Sequence, residues 1–404
     1  MRIAIHRRSE PQRGSLDAVL GFAWSAGVFV SDNAMAATGL TRTTAIDALD
    51  ELIALGLLRE LPNARIAGEY RAGRPARRFE LRADAAVVVG MDAGRAHLTT
   101  TVADLRGRAL ARETVELDVQ HDGADERRTA VVAALDSALA AAGASADGVL
   151  AICVGVPAPV DALGRSPQHR DDFWRRMNPG LIGLLESRAP IVRIENDASL
   201  AAVAEGAVGG AVGCADYAVL LAGERFGAGI VIDGGLLRGA HGGSGEMVAL
   251  DHIVGVGTAD GLGTRLTEWV RAAATAGEIP PGHPLKAVPA ESLTGRAVLD
   301  LARSGDEWSR TFVVRAGQLL ARVAAVFGSL YDPARIIIAG AVAEGFDQVV
   351  QVARERLPDE LDLPAPELVL SALGSAPVAI GAVCAALEAA RAGVLRATLP
   401  ADPA

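Results

Sequence analysis

The stretch Val87-Val88-Val89-Gly90-Met91-Asp92-Ala93-Gly94 governs how the rest of the chain reads. It opens β-branched and apolar and closes on an acid and a glycine, which predicts a buried strand ending in a polar turn. His97 to Ala103 predicts a second strand, Asp104-Leu105-Arg106-Gly107 a hairpin turn, and the segment through Val115 to Leu117 a third strand. An Ala- and Leu-rich helix over 127–142 follows, then a strand over 148–156 that opens into Pro157-Ala158-Pro159-Val160-Asp161. Ile191-Val192-Arg193-Ile194 predicts a strand running into Glu195-Asn196-Asp197, with a helix from Ala198 to Val208. Hairpin strands followed by alternating helix and strand describe a mixed α/β sheet with crossovers. The alternation restarts at Tyr217–Leu221, Gly229–Ile232 and Ile336–Ile338. A second lobe across a cleft is expected, but the sequence repetition is too faint to assert duplication.

Upstream, residues 15–60 predict three helices. Leu16, Val19, Leu20, Phe22 and Ala23 form an apolar stripe on the first. Ser31 is placed to cap a second, ending at Gly39, and Thr41 to cap a third that carries Ala45, Ile46, Leu49, Leu52 and Ile53. Gly39-Leu40 between two short capped helices is a helix-turn-helix pattern, whose second helix enters a DNA major groove. A hairpin closed by Phe79-Glu80-Leu81 follows, with Arg65, Arg71, Arg74, Arg77 and Arg78 expected at its tip. A plain helical hairpin capping the next domain is the alternative. The arginine-loaded wing and the charge distribution favour DNA: residues 1–83 carry a net charge of +3 and the remainder −13.

Composition excludes several classes. The chain has 404 residues, half of them apolar and 22% charged, so it is neither disordered nor a rod, and two or three domains are expected. No apolar run approaches the roughly 20 residues that a bilayer requires, and the first residues lack the apolar core of a signal peptide. Cys153, Cys214 and Cys384 are too few and too scattered for a disulfide framework or a Cys-rich zinc site. A cytoplasmic protein is expected, with no membrane partner.

Three places carry candidate chemistry. Glu195-Asn196-Asp197 sits at a strand's carboxyl end, where open α/β sheets bind ligands. Asp197 could accept a proton from a substrate hydroxyl and Asn196 could hydrogen-bond beside it, although a helix cap alone accounts for Asn196. Glu246, after the glycines at 234–235 and 242–243, could accept bonds from sugar hydroxyls or be an exposed loop acid. Asp92 and Gly94 could face a phosphate or magnesium, or form a simple turn.

In order along the chain stand Thr38-Gly39-Leu40-Thr41, Gly73-Arg74-Pro75, Gly90 to Gly94, Asp104 to Gly107, Gly155-Val156-Pro157 with Asp161 and Gly164, and Glu195-Asn196-Asp197-Ala198. Gly227-Ala228-Gly229, Gly245-Glu246, Asp332-Pro333 with Ile336 to Gly340, and Ala379-Ile380-Gly381-Ala382 complete the set. From about residue 15 to 390 the chain resembles the ROK family of bacterial repressors and sugar kinases, in its branch with an N-terminal winged helix. The resemblance implies a winged helix-turn-helix over 14–83 and a two-lobed actin/hexokinase-like (ribonuclease H-like) body. Its first lobe would be 84–197, completed by a C-terminal helix at 376–395, and its second 198–375. Carried over by motif, Asn196, Asp197, Glu246 and Glu268 would hold a sugar, with Asp197 as the kinase base. Asp92, Gly94, Gly227, Gly229 and Gly340 would face a nucleotide. Arg42, Thr43, Thr44, Asp47, Arg71, Arg74, Arg77 and Arg78 would face double-stranded operator DNA, bound by a homodimer or dimer of dimers.

The departures are specific. Where the family's phosphate loop reads Gly-Thr-Gly-x-Gly-x-Gly, this chain has Gly223-Glu224-Arg225-Phe226-Gly227-Ala228-Gly229. A Glu224 carboxylate ~4 Å from a phosphate oxygen would repel it by about 4 kcal/mol at an effective dielectric near 20, and Arg225 could compensate. The family's zinc-binding His and three Cys are absent: Gly245-Glu246-Met247-Val248-Ala249 lacks the His, and Thr258 to Glu268 has no Cys. No resident cofactor is expected, neither zinc nor ATP with magnesium. The reading is a transcriptional regulator, a repressor of sugar-related genes, with a sugar or sugar-phosphate effector and a degenerate kinase site. A true ATP-dependent sugar kinase and a ligand-independent DNA-binding scaffold are the alternatives.

Overall fold

The computed structural model describes residues 10–62, 76–118, 123–168, 172–340 and 345–398. The chain begins with α1 (Glu10–Ser25), β1 (Phe29–Val30), α2 (Ser31–Thr38), α3 (Arg42–Ala54), β2 (Leu58–Leu61) and β3 (Arg78–Leu81). Leu16, Val19, Leu20 and Ala23 of α1 share a core with Leu49 and Leu52 of α3 and with Phe29, Leu58, Phe79 and Leu81 of the strands. β3 pairs antiparallel with both β1 and β2, which makes a winged-helix unit. Gly39 ends α2 at φ 69°, in the left-handed region a side chain resists, and Thr41 caps α3 by accepting the Thr44 N–H at 3.4 Å.

Two expectations for this unit are corrected. Ser31 is the first helical residue of α2 rather than its cap; the Asn33 side chain instead reaches back to accept the Val30 N–H at 3.0 Å. Arg77 and Arg78 stand at the base of the wing, where β3 begins, and not at its tip. Arg65, Arg71, Arg74 and the Gly73-Arg74-Pro75 element lie outside the described residues.

The body follows as β4 (Val87–Ala93), β5 (His97–Asp104), β6 (Ala109–Glu116), α4 (Ala124–Ala141), β7 (Val149–Val156), α5 (Phe173–Met177), α6 (Leu181–Leu185), β8 (Ile191–Asn196) and α7 (Asp197–Val208). Then come β9 (Tyr217–Leu221), β10 (Gly227–Ile232), β11 (Gly235–Leu236), α8 (Leu262–Thr275), α9 (Gly295–Arg303), α10 (Glu307–Tyr331), β12 (Arg335–Ala339), α11 (Asp347–Glu360), β13 (Glu367–Leu370) and α12 (Pro377–Thr398). The two five-stranded sheets run β6-β5-β4-β7-β8 and β11-β10-β9-β12-β13. Numbered within each lobe, both orders are 3-2-1-4-5, with the first three strands antiparallel and strands one, four and five parallel. The topology therefore repeats where the sequence does not.

α12 leaves the second lobe and packs back on the first sheet. A Cβ on Gly381 would lie 1.9 Å from the Leu200 carbonyl oxygen, and one on Gly90 2.4 Å from the Val383 nitrogen. These glycines let α12 press against α7 and β4 at backbone contact. α10 and α12 are long and apolar enough to cross a membrane, contrary to the expectation that no such run exists; 61% of each apolar window is buried inside the protein. Arg106 of the β5–β6 turn donates to the Trp24 and Ala26 carbonyls at the end of α1, at 3.0 and 2.6 Å, and Arg391 of α12 donates to Gly21 O at 3.1 Å. The winged helix thus rests on the first lobe through a shared apolar core and these bonds.

Candidate functional site

The first sheet delivers its polar groups to one edge. Asp92 pairs in register with Gly155, Gly155 with Glu195, and Val156 with Asn196. Asp92 and Asn196 therefore leave the sheet at the carboxyl ends of parallel strands, the side on which such sheets take ligands. Asn196 caps α7, accepting the Ser199 N–H at 3.0 Å, while its amide donates to Ala158 O at 3.3 Å and Asp197 Oδ1 at 3.1 Å. Asp197 Oδ1 also accepts the Ala198 N–H at 2.7 Å. Desolvation pushes the Asp197 carboxyl up to about 7, with the charges of Asp92 and Glu246 adding to the rise.

Glu246 belongs to the other lobe and is brought opposite by a glycine-rich loop. Its residue bridges Gly227, and its N–H donates to Gly243 O at 3.2 Å. A Cβ on Gly242 would lie 1.9 Å from Val160 O, and one on Gly245 1.8 Å from Ala228 O, both at positive φ. The loop passes that close to both lobes only because these positions are glycine. Arg238, in the same connection, grips Glu195 with two bonds of 3.0 and 3.2 Å and so ties the lobes together beside Asn196. Glu268 is not brought to this group: it is exposed on α8, and its charge bears on Arg265.

Two residues at the strand end were not singled out from the sequence. His97 Nε2 sits 3.1 Å from Asp92 Oδ2, and that bond raises the imidazole's pKa; Glu224, from the opposite lobe, adds to the rise. Buried Arg127 donates to the carbonyls of Ala93, Gly94 (3.1 Å) and Met177 (2.9 Å), fixing the turn after β4. Nothing in the sequence of α4 singles it out, since Asp125, Glu126, Arg128 and Asp136 share the helix. Asp161 and Gly164 form an Asx-type turn that repeats the one at Asp104–Gly107: each aspartate accepts two backbone N–H groups at 2.9–3.0 Å.

The stretch corresponding to a phosphate loop is drawn into the protein's own bonding. The Phe226 N–H donates to Ala259 O at 2.8 Å and the Ala228 N–H to Gly245 O at 3.1 Å, while Glu224 O accepts from Gly261 N–H and the Thr264 hydroxyl at 2.9 and 3.0 Å. Gly229 is explained by packing, since a Cβ there would lie 2.2 Å from Ala198 O on α7; Gly227 meets the Ala198 methyl at 3.5 Å. Arg225 leans 3.5 Å from Asp260 rather than toward the loop's mouth. Gly340 ends β12 at φ 100°, and residues 341–344 beyond it are outside the described residues.

Where the resemblance implies zinc ligands, an arginine occupies the loop. Arg265 donates to the carbonyls of Asp260 (2.8 Å), Val256 (3.0 Å) and Thr258 (2.7 Å) and to the Thr258 hydroxyl (2.8 Å). Thr258 in turn donates to Asp260 at 2.7 Å. A half-buried guanidinium among carbonyls does not fit a dication, and among the described residues no group of three or more His, Cys, Asp or Glu is placed to hold a metal ion.

On the winged helix, Arg42, Thr43 and Asp47 are exposed on the first turns of α3, and Thr44 is half-buried with its hydroxyl 2.9 Å from that of Thr41. Arg77 is bonded to Asp50 and Glu60, so its charge is already matched. Arg78 opens β3 opposite Val30 and Leu61.

Two lobes of identical strand order meeting at polar strand ends define an actin/hexokinase-like body, here carrying an N-terminal winged helix. The ROK family model matches residues 88–253 of the chain. The bifunctional enzyme NanE/NanK of Brucella suis biovar 1 (strain 1330) is 29% identical over 234 residues, 52% of this chain and 39% of that protein. The chain thus spans well under half of that enzyme's length. The DNA-binding transcriptional dual regulator NagC of Escherichia coli (strain K12) is 25% identical over 325 residues, 76% of this chain and 74% of that protein. Among solved structures, a ROK family transcriptional regulator described as a homolog of the E. coli MLC protein superposes with a TM-score of 0.76 at 19% identity, over 96% of this chain and 99% of that one. A ROK family glucokinase from Streptomyces griseus, in complex with glucose and AMPPNP, gives 0.64 at 23% identity over 75% and 99%. The regulator covers the winged helix as well as the body.

Proposed function

We propose that this protein is a sugar-responsive transcriptional regulator that binds duplex DNA in the cytoplasm as a dimer and releases or tightens its hold when a sugar enters the cleft. The observation that carries the reading is a unit of three helices and a three-stranded sheet of winged-helix form, with the first turns of α3 exposed, resting on a body that keeps Asn196 and Asp197 at its strand ends. The likeness to NagC over most of the chain supports it. Arg42, Thr43 and Asp47 would address base edges and phosphates in the major groove. The cleft would hold the sugar through Asn196, Asp197 and Glu246. Effector binding matters to DNA only if the two lobe arrangements bind it with different affinity. Glu224 and the internally bonded phosphate loop support the further proposal that ATP is not turned over, and Arg265 supports the absence of zinc.

A sugar kinase is the second reading, and one observation favours it: a carboxyl near pKa 7 suits a general base. The deciding experiment selects binding sites from a random duplex pool with the full chain, then titrates the enriched duplex with a panel of hexoses and hexose phosphates. Enrichment of one motif and a sugar-dependent change in its affinity are expected. Failure to enrich any duplex, or sugar phosphate formed from ATP at ordinary kinase rates, overturns the regulator reading.

A further inference from the structure

Arg77 stands where the sequence predicts a phosphate contact, yet three elements converge on it. Its Nη2 donates to Asp50 Oδ1 of α3 at 2.7 Å and to Glu60 Oε2 of β2 at 2.8 Å, and its Nε donates to the same Glu60 oxygen at 2.9 Å. The guanidinium lies 5.0 Å over the ring of Phe79, a core residue of β3. One edge of the fork and one face of the plane are therefore engaged. A guanidinium held by two carboxylates is electrostatically matched before any phosphate arrives. We propose that Arg77 is a positioning residue: by joining Asp50 on the recognition helix to Glu60 at the root of the wing, it sets the angle between the two DNA-reading elements and so governs sequence discrimination rather than phosphate attraction. Among the described residues, Arg42, exposed at the start of α3, has no such link to the strands.

The geometry gives this assignment a consequence of definite sign. If Arg77 were a phosphate contact restrained by its neighbours, replacing both carboxylates by amides would release it, and DNA of every sequence would bind more tightly. As a clamp, the same change loosens the wing, and the preferred duplex loses its advantage over unrelated DNA. The inference rests on the DNA-binding reading above, and the test separates the two.

With the full chain and the duplex enriched by selection, the ratio of specific to non-specific affinity is measured for wild type, the double variant Asp50→Asn with Glu60→Gln, and Arg77→Met, each checked for folding by its thermal melt. The ratio is expected to fall about tenfold in both variants, a change the size of one misread base pair. The slope of log affinity against log salt is expected to stay near the wild-type value in Arg77→Met, and Arg77→Lys to recover part of the ratio. A slope shallower by about one, as loss of a phosphate contact gives, overturns the clamp. So does a double variant that binds all duplexes more tightly at an unchanged ratio. A wild type that enriches no duplex overturns the regulator reading and this one together, whereas either of the preceding results removes the clamp alone.

Discussion

At the carboxyl edge of the first sheet, Asn196 and Asp197 turn the chain into α7 and hold a carboxyl near the cleft that resists ionisation. Across the cleft, Gly223–Gly229 and the loop over 256–265 bond each other through Phe226, Gly261 and Thr264, while Ala228 bonds Gly245 and Arg265 bonds its own loop. Both regions are turns beside a helix start, where backbone N–H groups and dipoles can receive a ligand. The first keeps Asn196 and Asp197 at the strand ends; the second keeps only the side chains of Glu224 and Arg225 exposed within Gly223–Gly229. In the second the backbone bonds inward, with Arg265 standing where the family resemblance places a metal.

That contrast can be broken in four ways. The largest effect is expected at Arg265→Ala, which strands three carbonyls and a hydroxyl and should cost about 2–4 kcal/mol of stability in urea unfolding; a loss under 0.5 kcal/mol means the loop is held by something else. Asp197→Ala should weaken hexose binding by roughly 100-fold in calorimetry, the size of a charged hydrogen bond, with the fold intact; unchanged binding moves the sugar elsewhere. Glu224→Thr should raise the affinity for a magnesium–AMPPNP probe about tenfold by removing like-charge repulsion; no gain would mean that the internal bonding, not the carboxylate, excludes phosphate.

The last effect is a pH dependence. The pKa of Asp197 lies above the unfolded value, so folding favours the protonated form. The resulting destabilisation is complete above about pH 7 and fades as pH falls through 7 toward 4. Asp197→Asn should therefore stabilise the protein by about 1–3 kcal/mol at pH 8 and by nearly nothing at pH 4, read from paired melts. An equal gain at both values would exclude ionisation as the cause.

The strand pattern around Val87–Gly94 and Glu195–Asp197 was legible because period, turn chemistry and the strand-to-helix switch are local. The winged helix was legible through Gly39 and Thr41, whose backbone roles need no distant partner. The arginines were not. Arg77 pairs with Asp50 and Glu60, Arg127 with carbonyls at 93, 94 and 177, and Arg265 with a loop its own helix closes. Nothing within a few residues distinguishes an arginine meant for phosphate from one meant for a carbonyl. Gly229 shows the opposite ambiguity: a glycine needed for backbone contact with α7 looks, in sequence, like one needed for a nucleotide. The second lobe's kinship with the first was hidden in the same way, since strand order survives where residue identity has drifted.

The return of α12 to the first sheet also sets a timetable for synthesis. The strands of that lobe emerge from the ribosome early, but the helix that covers one of their faces is made only after the whole second lobe. At roughly 5–20 residues per second, an apolar sheet face waits on the order of tens of seconds for its own lid. A nascent chain stalled or cut before Pro377 would keep that face bare, so chaperone capture and aggregation should track the completion of α12 more closely than any earlier step.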